Sequence, residues 1–142
     1  MPHESVTQTL YTIAATAKGG REGSVRSEDG VVDLPLGKPG STSNPKANPE
    51  TLFASGYAAC FSGALGLVAR AAGVDASEST VTADVTFGKT DSGFGLAVDL
   101  LAKIPGVDAA TAQQLADSAH QVCPYSKATR GNIDVTVTGE PA

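Results

Sequence analysis

Much of the usual catalytic vocabulary is missing from this chain. It has no Gly-x-x-x-x-Gly-Lys loop to cradle phosphates, no Gly-x-Ser-x-Gly elbow to present a hydrolase serine, and no Cys-x-x-Cys dithiol. Only two cysteines and two histidines are present. His120-x-x-Cys123 with Cys60 would offer three zinc ligands at a spacing that fits no common site, so no metal is expected. His3 lies in an N-terminal tail, and His120 stands near a helix end, where interaction with the terminal carbonyls is the ordinary reading. The N-terminus lacks a basic region followed by an apolar stretch, so no secretory signal is read and a cytoplasmic protein is expected. There the thiols would stay reduced. A net charge of −5 argues against nucleic acid or an acidic membrane surface as partner.

What is present is an ordinary globular composition, 41% apolar and 18% charged over 142 residues, read as a single domain, 1–142. Its longest apolar run is Asn48 to Gly73. Asn48 can cap, Pro49 suits the first helical position, Glu50 puts a carboxylate in the first turn, and Gly73 supplies a stop. Apolar on nearly every face as far as Arg70, the run reads as a buried helix. It is long enough to span a bilayer, but Glu50 and Arg70 bracket a stretch full of Gly and Ser, so a core helix is expected. Small residues surround Cys60 on its own face, which suggests either tight helix packing or a pocket.

Before this helix, residues 6–17 read as a strand, with Tyr11, Ile13 and Ala15 on one side. Gly19-Gly20 breaks it, and Arg21 follows in the turn. Residues 23–28 and 31–36 form a hairpin around Asp29-Gly30. A Gly, Pro, Ser, Thr and Asn loop then runs from 37 to 46. After the helix, 80–88 and 94–104 alternate apolar and polar residues around Asp91-Ser92-Gly93, a second hairpin. Asp108 can cap a helix over 109–123, Pro124 stops it, and 132–138 is the last strand. The order βββ-α-ββ-α-β implies an α+β fold, mostly antiparallel sheets wrapped around the long central helix. One short chain covers such a helix only in part. Pairing with a second copy would finish it, so a two-fold homodimer is expected.

Of the two thiols, a lone cysteine on an apolar helix is more often a small hydrophobe than a nucleophile. Burial raises its pKa, so reactivity at Cys60 requires a fixed cation nearby. Cys123, at a helix C-terminus, is a poor attacking group that could still condense with an oxidised partner.

Four blocks carry a resemblance: Gly-Gly-Arg-Glu-Gly (19–23), Asn-Pro-Glu-Thr-Leu-Phe-Ala-Ser-Gly-Tyr-Ala-Ala-Cys-Phe (48–61), Gly-Phe-Gly-Leu-Ala-Val (93–98) and His-Gln-Val-Cys-Pro-Tyr-Ser-Lys-Ala-Thr-Arg-Gly-Asn-Ile-Asp-Val (120–135). In order and over residues 10–138, the chain resembles the organic hydroperoxide resistance (Ohr) branch of the Ohr/OsmC family. It departs at the 41–47 loop, which is not Gly-rich, and at Thr51, where Gln is usual. The resemblance implies an intertwined homodimer and a thiol peroxidase. Cys60 matches the peroxidatic cysteine, Cys123 the resolving one, and Arg21 and Glu50 the residues that activate the first. It also implies a dithiol reductant of the dihydrolipoamide type, carried on a lipoylated protein, and no bound cofactor. An arginine suits the role because it keeps its charge when desolvated, and a glutamate pair would fix its aim.

Glu50 and Cys60 are ten positions apart on one helix, ~15 Å along it and roughly 80° around it, beyond a glutamate's reach. Cys60 is therefore expected to meet Arg21 and Glu50 of the second subunit. Phe53, Tyr57, Phe61 and Tyr125 are the expected substrate-binding residues, an apolar lining suited to alkyl or fatty-acyl hydroperoxides; the alternative is that they fill the core. Two rival readings are an OsmC-type protein of broader peroxide use and a non-catalytic module that binds an apolar ligand.

Overall fold

A computed structural model describes residues 3–40 and 44–142. The described chain divides after Leu52 into two compact units. In the first, β1 (Ala15–Lys18), β2 (Ser24–Ser27) and β3 (Asp33–Pro35) form an antiparallel sheet in that order. A 3-10 turn over Gly20–Glu22 joins β1 to β2 and carries Arg21. Gly23 closes this turn because a Cβ there would fall 1.9 Å from the Lys18 carbonyl oxygen. The Asp29-Gly30 hairpin is present: the Asp29 carboxylate accepts from Ser27 Oγ at 2.6 Å and from the Val31 N–H at 3.0 Å.

The strand expected over 6–17 is much shorter. Pairing begins where the Ala14 carbonyl accepts from the Glu28 N–H, and β1 itself starts at Ala15. Val6, Leu10, Tyr11 and Ile13 lie exposed before it. Their alternation is strand-like, but a strand also needs a ladder partner and something to cover its apolar face. The expectation for Ser41, Thr42 and Ser43 lies outside the described residues.

Helix α1 (Pro49–Ala71) starts as expected, with the Asn48 side chain accepting from the Thr51 N–H at 2.8 Å. It ends in a Schellman motif: Val74 N–H donates to the Ala69 carbonyl and Gly73 N–H to that of Arg70, with Gly73 at φ 74°. The expectation of a helix buried all round is corrected. Tyr57, Phe61, Ala64, Leu65 and Ala69 form a buried stripe, whereas Ala59, Ser62, Gly63 and Leu67 are exposed. A single sheet offers one surface, and the helix has more apolar faces than that surface can take. α1 is long and apolar enough to cross a membrane, but its stripe is packed into the second unit's core.

That core sits on β4 (Thr80–Lys89), β5 (Phe94–Ile104) and β6 (Val135–Pro141). β4 and β5 pair antiparallel from Thr80↔Lys103 to Lys89↔Phe94. Val98, Leu100, Ala102 and Ile104, alternate residues of β5, face Phe61 and Leu65 of α1 and Ala112, Leu115, Ala116 and Ala119 of α2 (Ala109–Val122) in one cluster. Each large side chain there contributes about 1.5–3 kcal/mol through its buried area. Asp108 caps α2, accepting from the Thr111 N–H at 2.8 Å.

Two further expectations change. Pro124 ends α2 but also opens α3 (Pro124–Thr129), because the ring that blocks a preceding helix suits the first position of the next. The last strand begins at Val135 rather than 132, because the N–H groups of Asn132 and Ile133 are still committed to the Thr129 carbonyl. β6 also runs parallel to β5, so the sheet is mixed. A return across α2 and α3 permits that direction.

Gly139 on β6 marks how closely α2 lies on the sheet: a Cβ there would fall 2.2 Å from the Ala112 carbonyl oxygen. Neither backbone can give way cheaply. Gly139→Ala is expected to destabilise the protein by about 3 kcal/mol, read as a lower urea midpoint. An unchanged midpoint would mean that α2 and β6 are held further apart.

Candidate active site

Proline chemistry brings the two thiols together. The residue before a proline is pushed out of helical conformation, and Cys123 accordingly has φ −67° and ψ 122° between α2 and α3. Its side chain is fully buried at that corner. Cys60, half-buried on α1, has its sulfur 3.6 Å from that of Cys123, and both are free thiols. A disulfide would close this gap to ~2.05 Å.

The electrostatics around Cys60 oppose a thiolate. Burial pushes its pKa up, the Tyr125 backbone N–H pulls it down, and Cys123 pushes it up again, leaving it above the ordinary thiol value. In the first unit, Arg21 and Glu50 form a salt bridge, Nη2 to Oε2. Glu50 is mostly buried and Arg21 half exposed, so the carboxylate is the sheltered member of the pair. The structure thus joins Cys60 to Cys123 in the second unit and Arg21 to Glu50 in the first.

The four aromatic candidates occupy different environments. Tyr57 and Phe61 are wholly buried, Phe53 is half-buried, and Tyr125 is exposed. Tyr57 meets Phe53 edge-on with ring centroids 6.1 Å apart and Tyr125 at 5.8 Å. Gly56 leaves room for Tyr125, since a Cβ there would fall 3.0 Å from its hydroxyl and 3.1 Å from its ring. A concavity of about 570 Å³ in the second unit, bordered by Ser62, Gly66, Arg70 and Ser77, includes none of the four aromatics.

His120 does not spend its ring on the helix-end carbonyls. Its Nδ1 lies 2.8 Å from Ser126 Oγ, which in turn lies 2.8 Å from the Tyr57 hydroxyl. Burial and the Arg130 charge hold the His120 pKa below the ordinary value, against the pull of Asp117. The carbonyl at that helix end accepts instead from Arg130 Nη2 at 2.5 Å. Sequence reasoning missed Ser126 and Thr129. Pro124 held the signal, because a proline after a capping position opens a helix as readily as it closes one.

The profile of the OsmC-like protein family matches residues 40–138. The organic hydroperoxide resistance protein of Xanthomonas axonopodis pv. citri is 49% identical over 135 residues, spanning 92% of this chain and 95% of that protein. The chain belongs to the Ohr branch of the Ohr/OsmC family. Another similar Ohr protein, OhrA of Bacillus subtilis, is 49% identical over 138 residues, 93% of this chain and 97% of that one. Among solved structures, the organic hydroperoxide resistance protein of Elizabethkingia anophelis superposes with a TM-score of 0.87 at 51% identity, covering 96% of this chain and 100% of that one. OhrB of Bacillus subtilis does so at 0.85 and 42%, covering 94% and 100%.

Mild oxidation with diamide is expected to consume both thiols and form a disulfide within one chain, read by thiol titration and by monomer-sized migration on a non-reducing denaturing gel. Cys60→Ser and Cys123→Ser should each leave one thiol untouched. Wild-type chains that cross-link to each other would overturn the pairing.

Proposed function

We propose that this protein is a cytoplasmic, thiol-dependent peroxidase that reduces alkyl or fatty-acyl hydroperoxides to alcohols. The observation that carries the reading is the Cys60–Cys123 sulfur pair at 3.6 Å, in a chain so similar to organic hydroperoxide resistance proteins. In the first step the Cys60 thiolate attacks the terminal peroxide oxygen. An S–O bond forms, the O–O bond breaks, and the departing alkoxide takes a proton to leave as alcohol. Cys123 then condenses with the Cys60 sulfenic acid, forming the disulfide and releasing water. A dithiol, dihydrolipoamide on a lipoylated protein, reopens it by exchange. No metal or bound cofactor takes part.

The raised Cys60 pKa asks for a cation, and Arg21 is the proposed one, held by Glu50. It reaches Cys60 from a second copy in a homodimer. Supporting that assembly are the exposed apolar face of α1, where Leu67 is 61% exposed, and the exposed arm around Leu10 and Tyr11. Delivered so, the guanidinium stabilises the thiolate and donates to the peroxide oxygens as they separate. The aromatic neighbourhood of Phe53, Tyr57, Phe61 and Tyr125 supports an apolar substrate over hydrogen peroxide.

Reduced protein mixed with tert-butyl hydroperoxide and dihydrolipoamide is expected to turn over. Cys60→Ser should abolish the reaction, and Cys123→Ser should stop after the first oxidation. Arg21→Ala leaves burial opposed by no charge, so the Cys60 pKa rises and the pH–rate profile should move about 1–3 units toward alkali. A variant as fast as wild type at neutral pH would exclude Arg21 as the activator. A non-catalytic apolar-ligand module would consume no hydroperoxide at all.

A further inference from the structure

The sulfur pair is accompanied by a polar contact between the same two segments. Tyr57 precedes Cys60 by three residues on α1, and Ser126 follows Cys123 by three in α3. Tyr57 Oη lies 2.8 Å from Ser126 Oγ, as the sulfurs lie 3.6 Å from each other. The two contacts are rungs of one antiparallel ladder, about a helical turn apart on α1.

The lower rung is a buried polar cluster. Tyr57 and Ser126 are wholly buried, and Thr129 is 6% exposed. The Tyr57 hydroxyl also lies 3.0 Å from Thr129 Oγ1, which donates to the Ser126 carbonyl at 3.2 Å. One assignment uses every proton once: His120 Nδ1–H to Ser126, Ser126 to Tyr57, Tyr57 to Thr129, Thr129 to the carbonyl. A chain of this kind has a fixed direction and strengthens along its length. Apolar side chains of the same size would cost less to bury, but they could slide.

Ser126 and Thr129 are also the only buried residues of α3. The short helix that follows Cys123 is thus seated through this cluster. We propose that Tyr57, Ser126, Thr129 and His120 are positioning residues for disulfide formation, fixing the register of α3 on α1 so that Cys123 faces Cys60. This rests on reading Cys60 and Cys123 as the peroxidatic and resolving pair.

The test separates register from peroxide chemistry. Whole protein is equilibrated with oxidised and reduced dithiothreitol, so that the protein dithiol and the cyclic disulfide exchange for the protein disulfide and free dithiol. Ser126→Ala and Thr129→Val are each expected to lower the equilibrium constant for the Cys60–Cys123 disulfide by about tenfold. Thr129→Ser, which keeps the hydroxyl, should restore it. With tert-butyl hydroperoxide and no reductant, Ser126→Ala should accumulate Cys60 sulfenic and then sulfinic acid, seen by intact mass, where wild type yields disulfide. Wild-type equilibrium constants in both deletion variants would overturn the proposal, even if their melting temperatures fall. Wild-type protein that forms the disulfide in this buffer yet consumes no hydroperoxide would refute the peroxidase reading alone.

Discussion

Packing of the α1 stripe against alternate residues of β5 constrains everything else in the second unit. With Tyr57, Phe61, Leu65 and Ala69 turned into the core beside Val98, Leu100, Ala102 and Ile104, the azimuth of α1 is set. Cys60, next to Phe61 in sequence, then falls at the border of the buried stripe, half in and half out. α2 fills the remaining side of the same cluster through small residues, and its close approach brings Cys123 within reach. A bulkier α2 face would widen the gap between the sulfurs before touching either of them.

That border position creates an electrostatic tension. Burial at that border disfavours a thiolate, the form of Cys60 that the proposed reaction uses. Within its own unit Cys60 receives one helpful donor, the Tyr125 N–H, and two opposing influences, burial and the neighbouring thiol. A hydrogen bond from a neutral amide does not offset them. A permanent charge would, and in the proposed reading it comes from Arg21, whose partner carboxylate Glu50 is the better sheltered of the two.

Wherever local chemistry dominates, the sequence was a good guide. Caps at Asn48 and Asp108, the Gly73 stop, the Asp29-Gly30 turn and the strict alternation of 94–104 all map onto the observed elements. The misses lie where a segment's state depends on something distant. Residues 6–13 have a strand's pattern without a strand's ladder, and the α1 surface exceeds what one sheet can cover. The start of β6 depends on how α3 releases the chain, which no periodicity reports. The same holds for the site. Arg21, Glu50, Cys60 and Cys123 could be named as candidates because motif blocks carry them, and the structure pairs Arg21 with Glu50 and Cys60 with Cys123. Ser126 and Thr129 could not be, because Pro124 signals that a short helix opens there but not which of its hydroxyls are buried.

The parallel pairing of β6 with β5 has a consequence for synthesis. β5 must wait for α2 and α3 to emerge before its last partner exists, and long-range parallel pairing forms slowly. Cys60 leaves the ribosome 63 residues ahead of Cys123. Through that interval it is a thiol without its partner, and any sulfenic acid formed there has no intramolecular exit. In the proposed reaction the folded chain holds a resolving thiol 3.6 Å from Cys60, whereas the nascent chain depends on the reducing power of its surroundings.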